Sequence, residues 1–560
     1  MVSISGLATL CVIAVAVGSV QGASGRIADV RPPWWAMPSA NGAIEGYASQ
    51  VSALPGDTVD LKVSVGGGER YRVRVYRLGD RTGRGDDELL ACLPSCTGDE
   101  RGKDQEPPQV DQQTGRIRAP WTTTDRLHLD PSWRSGYLVI QFVVTSGPAA
   151  GRAGWTQLIM REPPAGKHSA ILVQIPTNTE QAYNRWGGKS SYSTEGGGTP
   201  ATHVSFDRPY SDSLIGWEYP LIRYLESNGY DVSYQTDFDT HRDPTSLLRH
   251  RLIVVNGHDE YWTSTIRDAF ETARDAGSNL LFFGANIGYW QVRYEDGGRT
   301  MVAYKSIAPD PVTDVLQRTS LFRELGNPEC ELLGIQHQGG TLRWGQADYR
   351  VNAEALTDPW FAGTGFVPGD RVAKVVGIET DTIPGWLQAK GETCIDRPLT
   401  TLLRADRGGD SLGDARFVRY TARSGARVAS AGTLDLGAAI DDVVQRMRGE
   451  PSLVDRRMQR FLKNALEDML LPAPVKFASA RVRDGVVTFR IVPTGDRRTE
   501  IDVRRASGGL VCRACPSRFS VPGRVSQKYL ASTVDLWGRS KQLLIRASLD
   551  RSSQIASGRP

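Results

Sequence analysis

The sequence predicts a multidomain protein of the α/β plus β class: an N-terminal antiparallel β-sandwich, a central parallel α/β domain and a small C-terminal β domain. Short alternating strands fill residues 46–163, strands and helices alternate over 164–474, and alternating strands return over 475–560. Sheets with one solvated face have alternating strands, whereas parallel sheets covered by helices have continuous apolar strands. We expect the first domain to be an Ig-like sandwich because its turn signals recur at short intervals.

The first 25 residues predict a targeting signal. Residues 1–25 contain the apolar run "LATLCVIAVAVGSVQGASG", which is typical of a secretory signal peptide cut near Gly22 or Ala23. No Lys or Arg precedes Arg26, so an uncleaved N-terminal anchor is the alternative. No later run approaches the roughly 20 apolar residues that a membrane span needs. We therefore expect a secreted or cell-surface protein, in which residues 26–45 lead into the first domain.

The overall composition is that of an ordinary soluble protein. Hydrophobic residues make up 40% of the chain and charged residues 23%, and the formal net charge is +4. So small a charge on a chain of this length gives no basis for binding nucleic acid or a membrane surface.

The cysteines predict disulfide bonds. Six cysteines follow residue 25, and an even number in an exported chain indicates a disulfide framework. Many pairings are possible in principle, and the simplest ones are Cys92–Cys96, Cys512–Cys515 and Cys330–Cys394. Zinc binding at "CRAC" (512–515) is disfavoured, because no second cysteine pair with the spacing of a zinc site accompanies it.

The central region alternates strands and helices in the way that a parallel sheet requires. The predicted strands are "SAILVQIP", "DVSYQT", "RLIVVNG" and "NLLFFGAN". The predicted helices are "WEYPLIRYLESNGY", "DPTSLLRH", "TSTIRDAFETARDAG" and, with a break near Gly449, "VVQRMRGEPSLVDRRMQRFLKNALEDML". Thr263 is the predicted N-cap of the third helix, and Gly277 lies at its end.

A polar and aromatic segment, "IPTNTEQAYNRWGGKSSYS" (175–193), follows the first of these strands. We predict a loop, and long loops in α/β proteins are commonly functional. Its side chains Tyr183, Trp186 and Tyr192 are candidates for a sugar-stacking platform, a substrate wall or a packing cluster.

The segment "GHDEYW" (257–262) places polar and aromatic side chains directly after an apolar strand. Ligands in open α/β sheets bind beyond the carboxyl ends of the strands. Residues i and i+2 of an extended segment face the same way, so His258 and Glu260 can point into one crevice. The following strand ends in "FGANIGYW", which puts Asn286 at a corresponding position. In the alternative interpretation, Glu260 caps the next helix and His258 fills a turn.

Two other catalytic patterns are poor candidates. "GDSLG" (409–413) matches a nucleophile elbow formally, but the strand before it and the helix after it are missing, which favours a surface turn. Asp259 and Glu260 are adjacent and point to opposite faces of an extended segment, so they do not form the carboxylate pair of a glycan hydrolase.

Three motifs together, "AYNRWGGKSSY", "GHDEYW" and "FGANIGYW", make the chain resemble the large (beta) subunit of bacterial N,N-dimethylformamidase and its relatives. "SGYLV" (135–139), "VGIETD" (376–381) and "VASAGTLDL" (428–436) occur in the order that this family shows. The resemblance implies a β-sandwich followed by an α/β domain like that of class I glutamine amidotransferases.

The resemblance also implies a mononuclear Fe(III) ion held by two tyrosinates and one glutamate. Carried over to this sequence, the metal ligands are Tyr137, Tyr183 and Glu260, and the catalytic groups are His258, Asn286 and Glu379. Phenolate and carboxylate are hard ligands that suit trivalent iron better than zinc. The implied reaction is the hydrolysis of a small amide, in which a histidine or glutamate moves protons and an amide side chain stabilises the oxyanion.

Two function classes therefore compete. The first is a secreted iron-dependent amidohydrolase, acting alone, as a homo-oligomer or with a small partner subunit. Its expected export points to an amide other than formamide, such as a cell-wall or carbohydrate-linked amide. The second is a non-catalytic protein that binds carbohydrate or cell surfaces, which would suit the 13 tryptophans. The complete set of candidate site residues favours the enzyme.

Overall fold

The computed structural model describes residues 33–79, 87–192, 199–211, 215–405, 414–471, 477–492, 500–534 and 540–549. The predicted leader (1–25) and the predicted turn at 409–413 lie outside these residues. Within the described ranges, no helix is long and apolar enough to span a bilayer.

The N-terminal part consists of sheets that are antiparallel except where the short strand Ser52–Ala53 pairs parallel with the strand Ala153–Met160. Its strands are β1 (Ile44–Ala48), β2 (Ser52–Ala53), β3 (Thr58–Val65), β4 (Arg70–Arg77), β5 (Glu88–Leu93), β6 (Glu100–Arg101), β7 (Gln109–Val110), β8 (Ile117–Arg118), β9 (Asp125–His128), β10 (Gly136–Val144) and β11 (Ala153–Met160). One main sheet has the order β1-β3-β9 and the other β2-β11-β10-β4-β5. Alternate residues of β3 are buried in a cluster to which both sheets contribute, which confirms the predicted antiparallel β arrangement.

The central part combines a large sheet with helices. Its strands are β12 (Ile171–Ile175), β13 (His203–Ser205), β14 (Val232–Thr236), β15 (Leu252–Asn256), β16 (Tyr261–Trp262), β17 (Asn279–Phe283), β18 (Trp290–Gln291), β19 (Arg293–Glu295), β20 (Thr300–Val302), β21 (Gln336–Val351), β22 (Arg371–Thr382), β23 (Thr400–Ala405), β24 (Ala415–Thr421) and β25 (Arg427–Ser430). Its α-helices are α1 (Thr177–Tyr183), α2 (Ile215–Ser227), α3 (Asp237–Arg242), α4 (Ser264–Asp275), α5 (Cys330–Leu333), α6 (Gly385–Gln388), α7 (Val443–Arg448) and α8 (Arg456–Leu470).

The large sheet is mixed, with the strand order β14-β12-β15-β17-β25-β24-β23-β21-β22. The strands from β14 to β25 are parallel, as predicted. The prediction of a parallel sheet is wrong for the other half, where β24, β23, β21 and β22 pair antiparallel. Parallel neighbours need a crossover of a dozen or more residues, and the short connection from β24 to β25 permits only a hairpin.

A local signal in the sequence predicted the start of helix α4 correctly, whereas helix α1 was not predicted. The Thr263 hydroxyl accepts a hydrogen bond from the backbone N–H of Ile266 at 3.2 Å, which confirms Thr263 as the N-cap of α4. The loop predicted at 175–193 is wrong in its first part, because α1 is helical there. The Asp237 carboxylate, distant in sequence, accepts from the backbone N–H of Asn178 at 2.8 Å, so the start of α1 is capped by a tertiary contact.

Two of the three predicted disulfides are present: Cys92–Cys96 and Cys330–Cys394. The predicted Cys512–Cys515 bond is wrong, because both cysteines are free thiols in the structure. Cys515 packs against the core of the C-terminal domain, whereas the Cys512 thiol donates to the backbone carbonyl of Arg513.

A separate β domain follows α8, as predicted. Its strands are β26 (Phe477–Arg483), β27 (Val486–Val492), β28 (Glu500–Arg505), β29 (Leu510–Cys512), β30 (Arg518–Pro522), β31 (Lys528–Val534) and β32 (Ser540–Leu549). They form one sheet with the order β29-β28-β31-β32-β26-β27-β30 and enclose their own apolar cluster. The domain boundaries near residues 163 and 474 stay predictions.

Candidate active site

A buried carboxylate, that of Glu260, lies at the carboxyl edge of the parallel half-sheet. Gly257, with a φ of +84°, turns the chain out of β15 in a conformation that favours glycine. The backbone N–H of Glu260 donates to the hydroxyl of Thr179 in α1 at 2.8 Å. The sheet edge and α1 together therefore fix the position of Glu260.

Three side-chain donors from two parts of the chain converge on Glu260. The Tyr183 hydroxyl donates to Oε2 at 3.0 Å, the Tyr192 hydroxyl donates to Oε2 at 3.1 Å, and Trp290 Nε1 donates to Oε1 at 2.9 Å. The rings of Tyr183 and Tyr192 pack together, with centroids 4.4 Å apart. Glu260 is only 3% exposed, so two phenols and one carboxylate share a single buried pocket.

His258 lies on the same side of this segment as Glu260, as the i, i+2 alternation predicts. Its Nε2 is 3.4 Å from Glu260 Oε2, 3.3 Å from the Tyr183 hydroxyl and 3.5 Å from Glu379 Oε2. Its Nδ1 and Glu379 Oε2 are buried, and neither atom has a hydrogen-bond partner among the described residues. The Asp259 side chain points the other way and accepts from Gln174 Nε2 at 2.7 Å.

These contacts decide between the two interpretations of "GHDEYW". Thr263 caps α4, so Glu260 is not the capping residue. The Glu260 carboxylate is instead the common acceptor for two tyrosines and a tryptophan.

Asn286 follows β17 at the same edge of the sheet. Its backbone has a φ of +52°, an uncommon conformation for a residue other than glycine. Its N–H donates to both carboxylate oxygens of Asp381, at 2.9 and 3.0 Å. Since Asp381 lies beside Glu379 on β22, this contact ties the Asn286 turn to the strand that carries Glu379. Asn286 Oδ1 is buried, and no residue in the described part of the chain donates a hydrogen bond to it.

Tyr137 has other partners. Its hydroxyl donates to the side chain of Gln157, which in turn donates to Glu180. Burial, with the neighbouring carboxylate of Glu180, holds the pKa of Tyr137 well above its usual value. Among the described residues, Glu260 accepts hydrogen bonds from Tyr183 and Tyr192, and the metal-ligand role of Tyr137 stays a prediction.

Sequence reasoning named Tyr192 only as a platform, wall or packing residue. Gly187 and Gly188 adopt φ values of +77° and +98° and turn the chain back, so that Tyr192 stacks on Tyr183. A glycine pair between two tyrosines in one loop was the available signal for this arrangement.

Lys305 is a second residue that the sequence did not single out. Its ammonium lies 3.5 Å from the centroid of the Tyr192 ring, 5.1 Å from that of Tyr261 and 5.4 Å from that of Trp290. A cation at these distances is attracted to the faces of aromatic rings. Burial lowers the pKa of Lys305 to about 8, while the carboxylate of Glu260 acts in the opposite direction.

The electrostatics of the pocket oppose negative charge on the phenols. Burial raises the pKa of Tyr183 and of Tyr192, and the carboxylate of Glu260 raises both further. Burial, together with Glu379, also raises the pKa of Glu260. The two phenols therefore keep their protons at neutral pH unless a cation compensates the charge.

The donor set fits a hard metal cation. The Tyr183 and Tyr192 oxygens lie 3.0 and 3.1 Å from Glu260 Oε2. Two oxygens that share a cation through bonds of about 2.0–2.1 Å lie roughly 3 Å apart. Among the described residues, no group of three or more His, Cys, Asp and Glu side chains could hold a metal ion, so this candidate depends on the phenol oxygens.

Comparison with known proteins assigns the chain to a family. Residues 72–447, more than half of the chain, match the family model for N,N-dimethylformamidase beta subunit-like proteins, C-terminal part. The chain belongs to the N,N-dimethylformamidase beta subunit-like family. This match confirms the resemblance that the sequence motifs carry, and it includes every candidate site residue.

The individual relatives that the chain matches are only distantly similar to it in sequence. The N,N-dimethylformamidase beta subunits of Paracoccus aminophilus and Alcaligenes sp are 36% and 35% identical to it over 81 residues, which is 14% of this chain and 11% of each relative. The chain thus matches only a small part of the length of these relatives.

Solved structures add only weak similarities. A β-glucuronidase from Ruminococcus gnavus has 12% identity and a TM-score of 0.13, over 41% of this chain and 49% of that one. A cycloisomaltooligosaccharide glucanotransferase from Paenibacillus sp. has 8% identity and a TM-score of 0.15, over 87% of this chain and 91% of that one. These values are too low to inform the fold or the function.

Proposed function

We propose that this chain is an iron-dependent hydrolase of non-peptide amide C–N bonds. The observation that carries the proposal is the convergence of the Tyr183 and Tyr192 phenols on Glu260. Membership in a family named for N,N-dimethylformamidase supports an amide as the substrate. We also propose that the chain is exported, on the strength of its leader and two disulfides, and that its α/β domain is of the amidotransferase type.

The proposed metal ligands are Tyr183, Tyr192 and Glu260, with Tyr192 in the position that the family resemblance gave to Tyr137. Two phenolates and a carboxylate form a hard donor set that matches Fe(III). When bound, the ion would polarise an amide carbonyl and acidify a water molecule. Loading must release the phenol protons, because metal and protons compete for the same oxygens.

His258 is the proposed proton carrier. Its Nε2 faces the phenol and carboxylate oxygens of the pocket, and a substrate can displace these long contacts of 3.3 to 3.5 Å. A histidine in this position can take a proton from water and return one to the departing amine. The Glu379 carboxylate, 3.5 Å away, would stabilise the protonated imidazole.

Asn286 and Lys305 supply the remaining polar groups. The backbone N–H of Asn286 donates to Asp381, which holds Asn286 in place. The side-chain amide of Asn286 would donate to the negative charge that develops on the carbonyl oxygen of the substrate. Lys305 places a positive charge over the Tyr192 ring and favours the deprotonated ligand set.

The direct test is amide hydrolysis by the full-length protein with and without iron. Amine release from N,N-dimethylformamide and from a panel of N-substituted acetamides is measured after loading with Fe(III) and after removal of the metal. We expect turnover only in the iron-loaded protein. A preparation that binds glycans, binds no iron and hydrolyses no amide would instead support the non-catalytic binding protein.

A further inference from the structure

Two cavities meet next to the candidate active site. The smaller has a volume of about 380 Å³ and the larger about 690 Å³, and both are lined by Gly216, Val444 and Arg448. Cavities of about 300–1,000 Å³ are the usual size for drug-sized ligands. The pair therefore offers much more space than a small amide such as N,N-dimethylformamide occupies.

The larger cavity is walled by aromatic side chains from the N-terminal sheets and the central domain. Its tryptophans are Trp34, Trp35, Trp155 and Trp186. Trp34 and Trp155 pack edge to face, with ring centroids 5.2 Å apart, which holds this wall rigid. The cavity thus presents a fixed aromatic wall beside polar side chains such as Glu45 and Arg448.

One tryptophan connects the smaller cavity to the active site. Trp217 lines that cavity, and its ring packs edge-on against that of His258, with centroids 5.8 Å apart. The Trp217 side chain therefore borders both the cavity and the proposed reaction centre.

We propose that the two cavities form a subsite for an extended amide substrate. The part of the substrate beyond the scissile bond would pass Trp217 and lie against the tryptophan wall, and it would be largely apolar. This inference rests on the proposed amide hydrolysis at Glu260 and names its substrate class, an amide with a long or ring-sized substituent.

Gly216 offers a way to block the junction of the cavities. It lies in α2 with a φ outside the left-handed region, and an added Cβ would meet only Val444 Cγ1, at 4.0 Å. A larger side chain is thus accepted without backbone strain, and leucine favours a helix more than glycine does. We therefore expect the Gly216→Leu variant to fold. Gly216→Ala is the matched control, because it adds only a methyl group. Ala438→Leu is a second blocking variant, which fills the smaller cavity from another wall.

The experiment measures the binding of N-octylacetamide to the full-length protein by tryptophan fluorescence. We expect Gly216→Leu and Ala438→Leu to raise the dissociation constant by about tenfold or more, because they remove apolar contact area. Gly216→Ala should bind like the wild type. Trp386→Ala, at a position where the side chain is 64% exposed, should also leave binding unchanged.

Equal affinity in the wild type and both leucine variants would overturn the subsite. Loss of binding in the leucine variants without any hydrolysis by the iron-loaded wild type would support the subsite and contradict the proposed function. Hydrolysis of N,N-dimethylformamide by a wild type that does not bind N-octylacetamide would support the function and contradict the subsite.

Discussion

Replacing Tyr192 with phenylalanine removes one proposed ligand oxygen and leaves the ring in place. In the metal-free protein, the lost contacts are those to Glu260 at 3.1 Å and to the Tyr261 hydroxyl at 2.7 Å. A hydrogen bond to a charged group contributes about 1.5–3 kcal/mol. In the Tyr192→Phe variant, Glu260 keeps Tyr183 and Trp290 as hydrogen-bond donors. We therefore expect a loss at the low end of this range, a decrease of roughly 1.5 kcal/mol in the free energy of unfolding.

The Tyr192→Phe substitution should weaken iron binding much more than it weakens the fold. Changing a residue that only orients a metal ligand weakens metal binding by about 10–100-fold, and removal of a ligand must exceed this. The assay is competition for Fe(III) against a chelator of known affinity, with urea unfolding of the metal-free protein measured in parallel. Tyr71→Phe is the matched control, since it also removes a buried phenol oxygen that donates to a carboxylate, that of Asp125, and it should keep its iron. Wild-type iron affinity in Tyr192→Phe would refute the proposed ligand set.

Three further predictions concern protons: two test the proposed active site, and the third tests how the stability of the fold depends on pH. His258→Ala should keep its iron and lower kcat by about 10²–10⁴-fold, measured as amine release, because it loses its general acid and base; unchanged kcat would exclude that role. Iron affinity should rise with pH, because burial raises the pKa of Tyr183 and Tyr192 and loading displaces their protons; a pH-independent affinity in chelator competition would contradict phenolate ligation. Burial lowers the pKa of His250 from 6.5 to about 4, so below pH 6.5 the unfolded chain binds a proton that the folded chain refuses. The free energy of unfolding should therefore fall by up to about 3 kcal/mol between pH 6.5 and 4, a dependence that His250→Asn should reduce in urea titrations.

The sequence predicted the parts of the site that depend on local chain geometry. The alternation of an extended segment was sufficient to put His258 and Glu260 on one side and Asp259 on the other. The Thr263 cap was predictable for the same reason, because its hydroxyl bonds within one helical turn.

The parts of the fold and the site that were not predicted depend on contacts between residues distant in sequence. Helix α1 begins where Asp237 accepts from Asn178, a contact that no window of the sequence contains. Tyr192 and Lys305 reach the pocket through turns and stacking that only the folded chain displays. The antiparallel half of the large sheet was missed because the strands β21 to β24 contain many polar residues and lack the continuous apolar runs on which the prediction depended.

The central claim is that two phenolates and Glu260 bind one iron ion. The most direct measurement is the visible and resonance Raman spectrum of the purified, iron-loaded protein with elemental analysis. The account predicts a coloured protein whose Raman spectrum contains tyrosinate vibrations enhanced through the iron, with the absorption weakened in Tyr183→Phe and in Tyr192→Phe. A colourless protein, or iron without tyrosinate vibrations, would contradict it.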